Sequence, residues 1–320
     1  MPLPPSISVW LKRLGPVLGL LFVMALFSIL APEKFATGAN LQLILLQTAV
    51  VGTAALGMTM VIISGGIDLS VGSVIALTTV VVALLLNSGF PPILAALGGV
   101  VVGVLCGSII GMFVTQVRLS PFIVTLGMCG ALRGSAKGLA NEQMIVPPDT
   151  WLTGLLNTLT DEQGWMLFPT GVWMMLVLAA LIAVVLRYTR AGRYMFAVGS
   201  NEIAARICGV PVERTKMSVY MLGSGFAALA GVLQFSYLTV GDPTTAAGME
   251  LDIIAAVVIG GGSLAGGEGS ILGSLVGALI MTSVGNGCTK MEFPNWVQEI
   301  VAGGIIVIAV ALDRFRHRKR

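Results

Sequence analysis

Charge is what this sequence has least of. Of its 320 residues only 10% are Asp, Glu, Lys or Arg, while 56% are hydrophobic. An ordinary soluble protein carries roughly 25% charged residues, so a soluble domain is excluded, and a mean hydropathy of +0.95 marks an integral membrane protein. Histidine is almost missing: His317 stands alone in a basic tail, and nothing suggests a metal site. The four cysteines, Cys106, Cys129, Cys208 and Cys288, show neither metal nor redox spacing. All but Cys208 lie within or at the end of apolar segments, where a free thiol packs as a small hydrophobe. There is no Gly-x-x-x-x-Gly-Lys-Ser/Thr phosphate loop, and no lysine directly follows a glycine. The chain therefore does not hold ATP by that route. A paired intramembrane Asp/Glu/His relay, common in proton-coupled carriers, is missing too.

What is present in excess is apolar length and glycine, with 41 glycines. Continuous apolar runs, rather than short alternating segments of about 10 residues, indicate helices crossing about 30 Å of hydrocarbon and not a β-barrel. Glycine lets such helices pack closely or break. The expected spans are 14–31, 42–63, 69–86, 93–115, 120–139, 170–187, 217–238, 250–262, 270–286 and 295–312. The fold class is thus an all-α integral membrane protein of about ten transmembrane helices in one domain, 1–320, with broken or short helices at two glycine-rich turns. Lys12 and Arg13 before the first apolar run imitate a signal peptide. The run is too long for an h-region and Pro32 follows its small-residue end at once, so it reads as an uncleaved first helix.

Lysine and arginine counts set the orientation, because positive loops stay cytoplasmic. The 187–216 loop carries Arg187, Arg190, Arg193, Arg206, Arg214 and Lys216, and the tail carries Arg314, Arg316, Arg318, Lys319 and Arg320. Both belong inside, as do Lys12 and Arg13. The 140–169 segment has Glu142, Asp149, Asp161 and Glu162 without a basic residue, and belongs outside. The crossings are then even in number, which makes Asp252 to Met281 two short spans folded back rather than one.

Two stretches resemble each other: VIISGGIDLSVGS at 61–73 and VVIGGGSLAGGEGS at 257–270. Each is an apolar run, a glycine pair, a polar turn with one acid, then Gly-Ser. Gly65, Gly66, Gly72, Gly260, Gly261, Gly262, Gly266 and Gly267 are the expected helix-break glycines. Paired interruptions of this kind point to a transport site, since broken helices expose end dipoles and backbone groups. Convergent turn chemistry is the plainer account.

A lone ionised carboxylate in lipid costs at least about 3 kcal/mol, so Asp68 needs a donor or a cavity. Either Asp68 or Ser70 caps the third helix at an inner-facing reversal, or the carboxylate lies on a solute pathway; the two roles are compatible. Asp68, Ser64, Ser70, Thr125, Arg133 and Asp252 form the expected pathway set. For Arg133 the simpler reading is snorkelling to the outer interface, with Ser135 nearby. For Glu250 and Asp252 it is dipole stabilisation at the outer start of the eighth span. Glu268 reads as a solvated turn acid. In the basic loop, Ser200 or Asn201 caps a short helix running to Cys208, stopped by Gly209 with Pro211 beyond. That helix is either a topological element or a docking element.

TMVIISGGIDLSVGSVIAL, SPFIVTLG with the later LRG, GRYMFAVGSNEIAARICGV, LDIIAAVVIGGGSLAGGEGSILGSLVGALI and AGGIIVIAV occur in this order. In this the chain resembles the permease subunits of bacterial ABC monosaccharide importers, the ribose, xylose, galactose, galactofuranose and autoinducer-2 group, from about residue 40 to 312. The resemblance implies a second permease copy or paralogue, a cytoplasmic ABC ATPase subunit holding ATP and Mg, and an extracytoplasmic sugar-binding protein. It implies no cofactor on this chain, no catalytic residues, and a place in the bacterial inner membrane with both termini cytoplasmic. It makes Gly199, Ser200, Asn201, Ala204, Arg206 and Gly209 the ATPase-coupling set and 140–169 a landing surface for the binding protein. A self-sufficient ion-coupled secondary carrier is the alternative transporter, and a membrane scaffold the reading without transport.

Overall fold

The structure, a computed structural model, describes residues 5–159 and 166–317. Its first six helices are α1 (Pro5–Leu30), α2 (Pro32–Phe35), α3 (Gly38–Ile63), α4 (Val71–Asn87), α5 (Pro92–Thr115) and α6 (Pro121–Leu139). Then follow α7 (Thr170–Tyr188), α8 (Arg190–Ser200), α9 (Glu202–Ile207), α10 (Val212–Leu238), α11 (Met249–Ile259), α12 (Ile271–Lys290) and α13 (Asn295–His317). Each of the ten expected apolar segments is one of these helices. By length and composition, α3, α5, α7, α10 and α12 are able to cross a membrane. Asp161 and Glu162 of the acidic segment, and Arg318, Lys319 and Arg320 of the tail, lie outside the described residues.

The core is built around α3, which is buried without a gap from Thr48 to Ser64. Small residues let its neighbours close in. A Cβ on Gly57 would stand 2.7 Å from the Gly223 carbonyl of α10, and one on Gly52 2.5 Å from Met175 of α7. Against α12, polar rungs replace apolar contact: Asn40 donates to Asn286 at 2.9 Å, Thr48 and Thr282 share a 2.6 Å bond, and Thr59 donates to Ser274 at 2.7 Å. In hydrocarbon such pairs satisfy groups that have no water to turn to. The pairing also makes α3 and α12 antiparallel.

Residues 252–281 are the folded-back pair that the charge parity requires. α11 ends at Gly260 and returns as α12, with the backbone of Gly273 against Gly260 and that of Gly277 against Ala256, leaving no room for a side chain at either α12 glycine. Eleven residues make α11 only about 16 Å long. It therefore spans half of a bilayer.

The loop between α7 and α10 holds one helix more than expected. α8 is amphipathic, burying Gly192, Met195 and Val198 against the bundle, and Thr189 caps it by accepting from the Gly192 N–H. The basic residues of this stretch hide that pattern in the sequence.

Candidate functional site

Two segments enter the bundle without helical structure, and they meet near its middle. The first is 64–70. α3 stops at Ile63, Gly65 turns in the left-handed region at φ +80°, and α4 begins only at Val71. Depth follows from the packing of α10. Gly231, about 28 Å along that helix, packs on Thr78, and Gly72 lies about 9 Å nearer the helix start. That puts the start of α4 at about half the 40 Å length of α10. The expected tight reversal at the membrane surface is thus a climb back into the interior.

Asp68 is completely buried in this climb. Its Oδ1 accepts the Ser70 N–H at 2.8 Å and the Ser70 hydroxyl at 2.6 Å, an Asx turn that fixes the entry into α4. Ser70 occupies the N-cap position but its hydroxyl donates to Asp68 instead of accepting from the helix, so neither residue is the expected side-chain cap. Ser64 donates to the Val61 carbonyl, and Thr125 of α6 approaches the Ile67 carbonyl at 3.4 Å. These four residues hold the broken segment together.

The second segment is 239–248, between α10 and α11. Thr239, Ala246 and Gly248 all have positive φ, which bends the chain inward at both ends. The Asp242 N–H bonds the Thr79 hydroxyl at 3.2 Å, while Ala246 and the Glu250 carboxylate close on Gly72. From Ala83 to Gly72 along α4 this is a descent of about 16 Å. Arg133 explains itself here. Its Nη1 donates to the carbonyls of Pro243 (3.1 Å) and Thr245, so it pins the descending strap and does not snorkel. Gln234 donates to Thr245 Oγ1 at 2.9 Å. The strap also corrects the placement of Glu250 and Asp252. They occupy the first turn of α11 as expected, but that turn sits in the interior and not at a membrane face.

Asp252 borders two cavities. One, of about 360 Å³, lies between α3, α10 and α12 and is lined by Gln47, Gln234, Tyr237, Thr282, Asn286 and Lys290 among others. The other, of about 420 Å³, extends between α11, α12 and α13 past Gln298 and Glu299. Both are at the small end of the range for small-molecule sites, about 300–1,000 Å³. The first offers amides, hydroxyls, the Asp252 carboxylate and the Lys290 ammonium beside an apolar wall of Leu43, Val50, Val51, Met249 and Met281, donors and acceptors that a small polar solute can use. Of the six expected pathway residues, Asp252 is the one in these linings. Gln47, Gln234, Tyr237 and Asn286 were missed, although amides inside apolar runs, as at Gln47, Gln234 and Asn286, are a signal in themselves.

At the opposite end lies the loop. Asn201 caps α9, accepting the Ala204 N–H at 2.9 Å, and Gly209 stops it at φ +80°. Arg206 pairs with Glu213 and, at 3.5 Å, with Glu202, which also binds Lys216. The guanidinium beside Glu213 holds that carboxyl below the usual range. Ile203 and Ile207, one turn apart, are 75% and 81% exposed, and they too were missed. Both glycine breaks come to this end. Gly261, Gly266 and Gly267 have positive φ, Gly66 packs under the Tyr220 hydroxyl, and Gly262 closes on Val257.

The chain has extensive sequence relatives among known proteins. Residues 40–310 match the family described as branched-chain amino acid transport system / permease component. The ribose import permease protein RbsC of Escherichia coli (strain K12) is 39% identical over 310 residues, covering 95% of this chain and 94% of that protein. RbsC of Bacillus subtilis (strain 168) is 38% identical over 312 residues, 95% and 93% of the two chains. The L-arabinose ABC transporter permease protein AraH of Azospirillum brasilense is 34% identical over 315 residues, 98% and 91% of the two. No solved structure matches. The chain belongs to this permease family and is a translocation component of an ABC transporter, not an enzyme.

Proposed function

We propose that the chain is the membrane-spanning permease of an ATP-driven importer for a monosaccharide or similar small polyhydroxylated solute, and that the solute passes the cavity at Asp252. The observation that carries this is the lining: Gln47, Gln234, Tyr237 and Asn286 bring amides and a hydroxyl to a volume of about 360 Å³ that Asp252 and Lys290 also border, beside apolar Val50, Val51 and Met281. A lining with one acid, one base and an apolar wall would suit a branched-chain amino acid as well, so the relatives carry the choice of solute class. The ribose and arabinose permeases among the relatives agree with the sugar reading. Their ABC class favours it over an ion-coupled carrier.

With both termini cytoplasmic, as the basic segments argue, the cavity opens outward. A binding protein then delivers solute at the cavity end, 140–169 contributes to its landing surface, and a second permease copy or a paralogue completes the path. ATP and Mg reside on the ATPase, which docks at α9. Ile203 and Ile207 are its apolar anchors within a rim formed by Glu202, Arg206, Glu213 and Lys216, the pattern of a protein–protein hot spot.

Proteoliposomes containing the permease, ATPase and binding protein test this reading with labelled D-ribose, L-arabinose and L-leucine. ATP-dependent sugar uptake that an ionophore does not abolish is the expected outcome. Uptake of leucine alone, or uptake that survives ATP depletion, contradicts it.

A further inference from the structure

At the loop end three glycine-bearing segments of backbone meet. Gly199, next to last in α8, lies so close to the Ile63 carbonyl that a Cβ has no room, and that Cβ would also stand 2.7 Å from the Gly267 nitrogen. The reverse view agrees: a Cβ on Gly266 would stand 2.6 Å from the Gly199 carbonyl oxygen and 2.9 Å from the Gly65 Cα. The Gly267 N–H donates to the Ile63 carbonyl at 2.8 Å, fastening the second glycine break to the end of α3. Contact here is backbone on backbone, without flexible side chains to absorb a displacement.

We infer that Gly199 is a positioning residue that clamps the two glycine breaks to α8, so that displacement of the 190–207 loop reaches α4 and α11 together. This rests on the proposed ATP-driven transport and adds the route by which the loop acts on the cavity. One branch runs from Ile63 through the Asp68 turn to the start of α4. The other runs from Gly267 into the hairpin of α11 and α12, held by the close approach of Gly260 and Gly273. That hairpin carries Asp252. Movement at the loop is thereby delivered to the cavity through α11, a packed helix about 16 Å long, coupling being carried by such contiguous packed elements.

The test is Gly199→Ala in the reconstituted complex, with D-ribose uptake and ATP hydrolysis measured in the same vesicles. The ATPase is expected to co-purify, and sugar moved per ATP hydrolysed to fall about tenfold. An unchanged ratio with the complex assembled overturns the inference. Hydrogen exchange on the wild-type complex gives a reading that does not depend on the variant folding. With and without a non-hydrolysable ATP analogue, peptides covering 62–67, 196–201 and 264–269 are expected to change protection together. If the 264–269 peptide responds independently of 196–201, the clamp is wrong. Failure of the wild type to take up sugar with ATP counts against the proposed function instead, and the exchange result still decides the clamp.

Discussion

Asp68 and Asp252 are both aspartates set beside apolar runs, yet the protein uses them in opposite ways. Asp68 is sealed, with one oxygen committed to the Ser70 N–H and hydroxyl. Asp252 borders two cavities on the first turn of a half-helix. The difference teaches that an acid inside a membrane protein marks a break in helical structure before it marks a ligand site. Which of the two it becomes depends on whether the broken backbone closes over it. At Asp68 the residues after Gly65 fold against α6 and α10 and exclude space. At Asp252 the strap of 239–248 holds α11 back and leaves a cavity beside it.

The contrast is broken most severely by Asp68→Ala. It leaves the buried Ser70 N–H and hydroxyl without their acceptor, a loss of about 2–4 kcal/mol, read as a lower midpoint of thermal unfolding in detergent and a smaller folded yield. Asp252→Asn leaves the melting midpoint near wild type and lowers sugar uptake about tenfold, the order expected when a hydrogen bond to a charged group is weakened. Arg133→Met frees the Pro243 and Thr245 carbonyls and costs about 2 kcal/mol, with faster hydrogen exchange confined to 239–248. Asn201→Ala, far from either acid, removes the cap of α9 for about 1 kcal/mol and weakens ATPase co-purification without altering the cavity. The smallest effect belongs to pH. The Glu213 carboxyl is held low by Arg206, so the stability of that pair is complete above the ordinary carboxylate range and disappears only as pH falls through the depressed value. ATPase binding should accordingly be flat across neutral pH and decline only in strong acid.

Much of this was open to a reader of the sequence. Ten apolar runs became ten helices, and Asn201 and Gly209 delimit α9 as their chemistry requires. Charge parity demanded the α11–α12 hairpin. What remained hidden was depth. Thr-, Gly- and Pro-rich composition in GDPTTAAG reads as a surface loop, and it is Arg133, more than 100 residues earlier, that satisfies its carbonyls inside the bundle. The same blindness affects Gln47, Gln234 and Asn286. They lie on three different helices, and they converge only once α3, α10 and α12 are packed.

The most direct measurement compares Asp252→Asn with Asp68→Asn at equal amounts of folded permease in proteoliposomes with the ATPase and binding protein, following initial D-ribose uptake. Asn at position 68 retains an oxygen for the Ser70 bonds and is predicted to keep uptake within about twofold, while Asn at position 252 lowers it about tenfold. Uptake that survives at Asp252→Asn and collapses at Asp68→Asn would contradict the account.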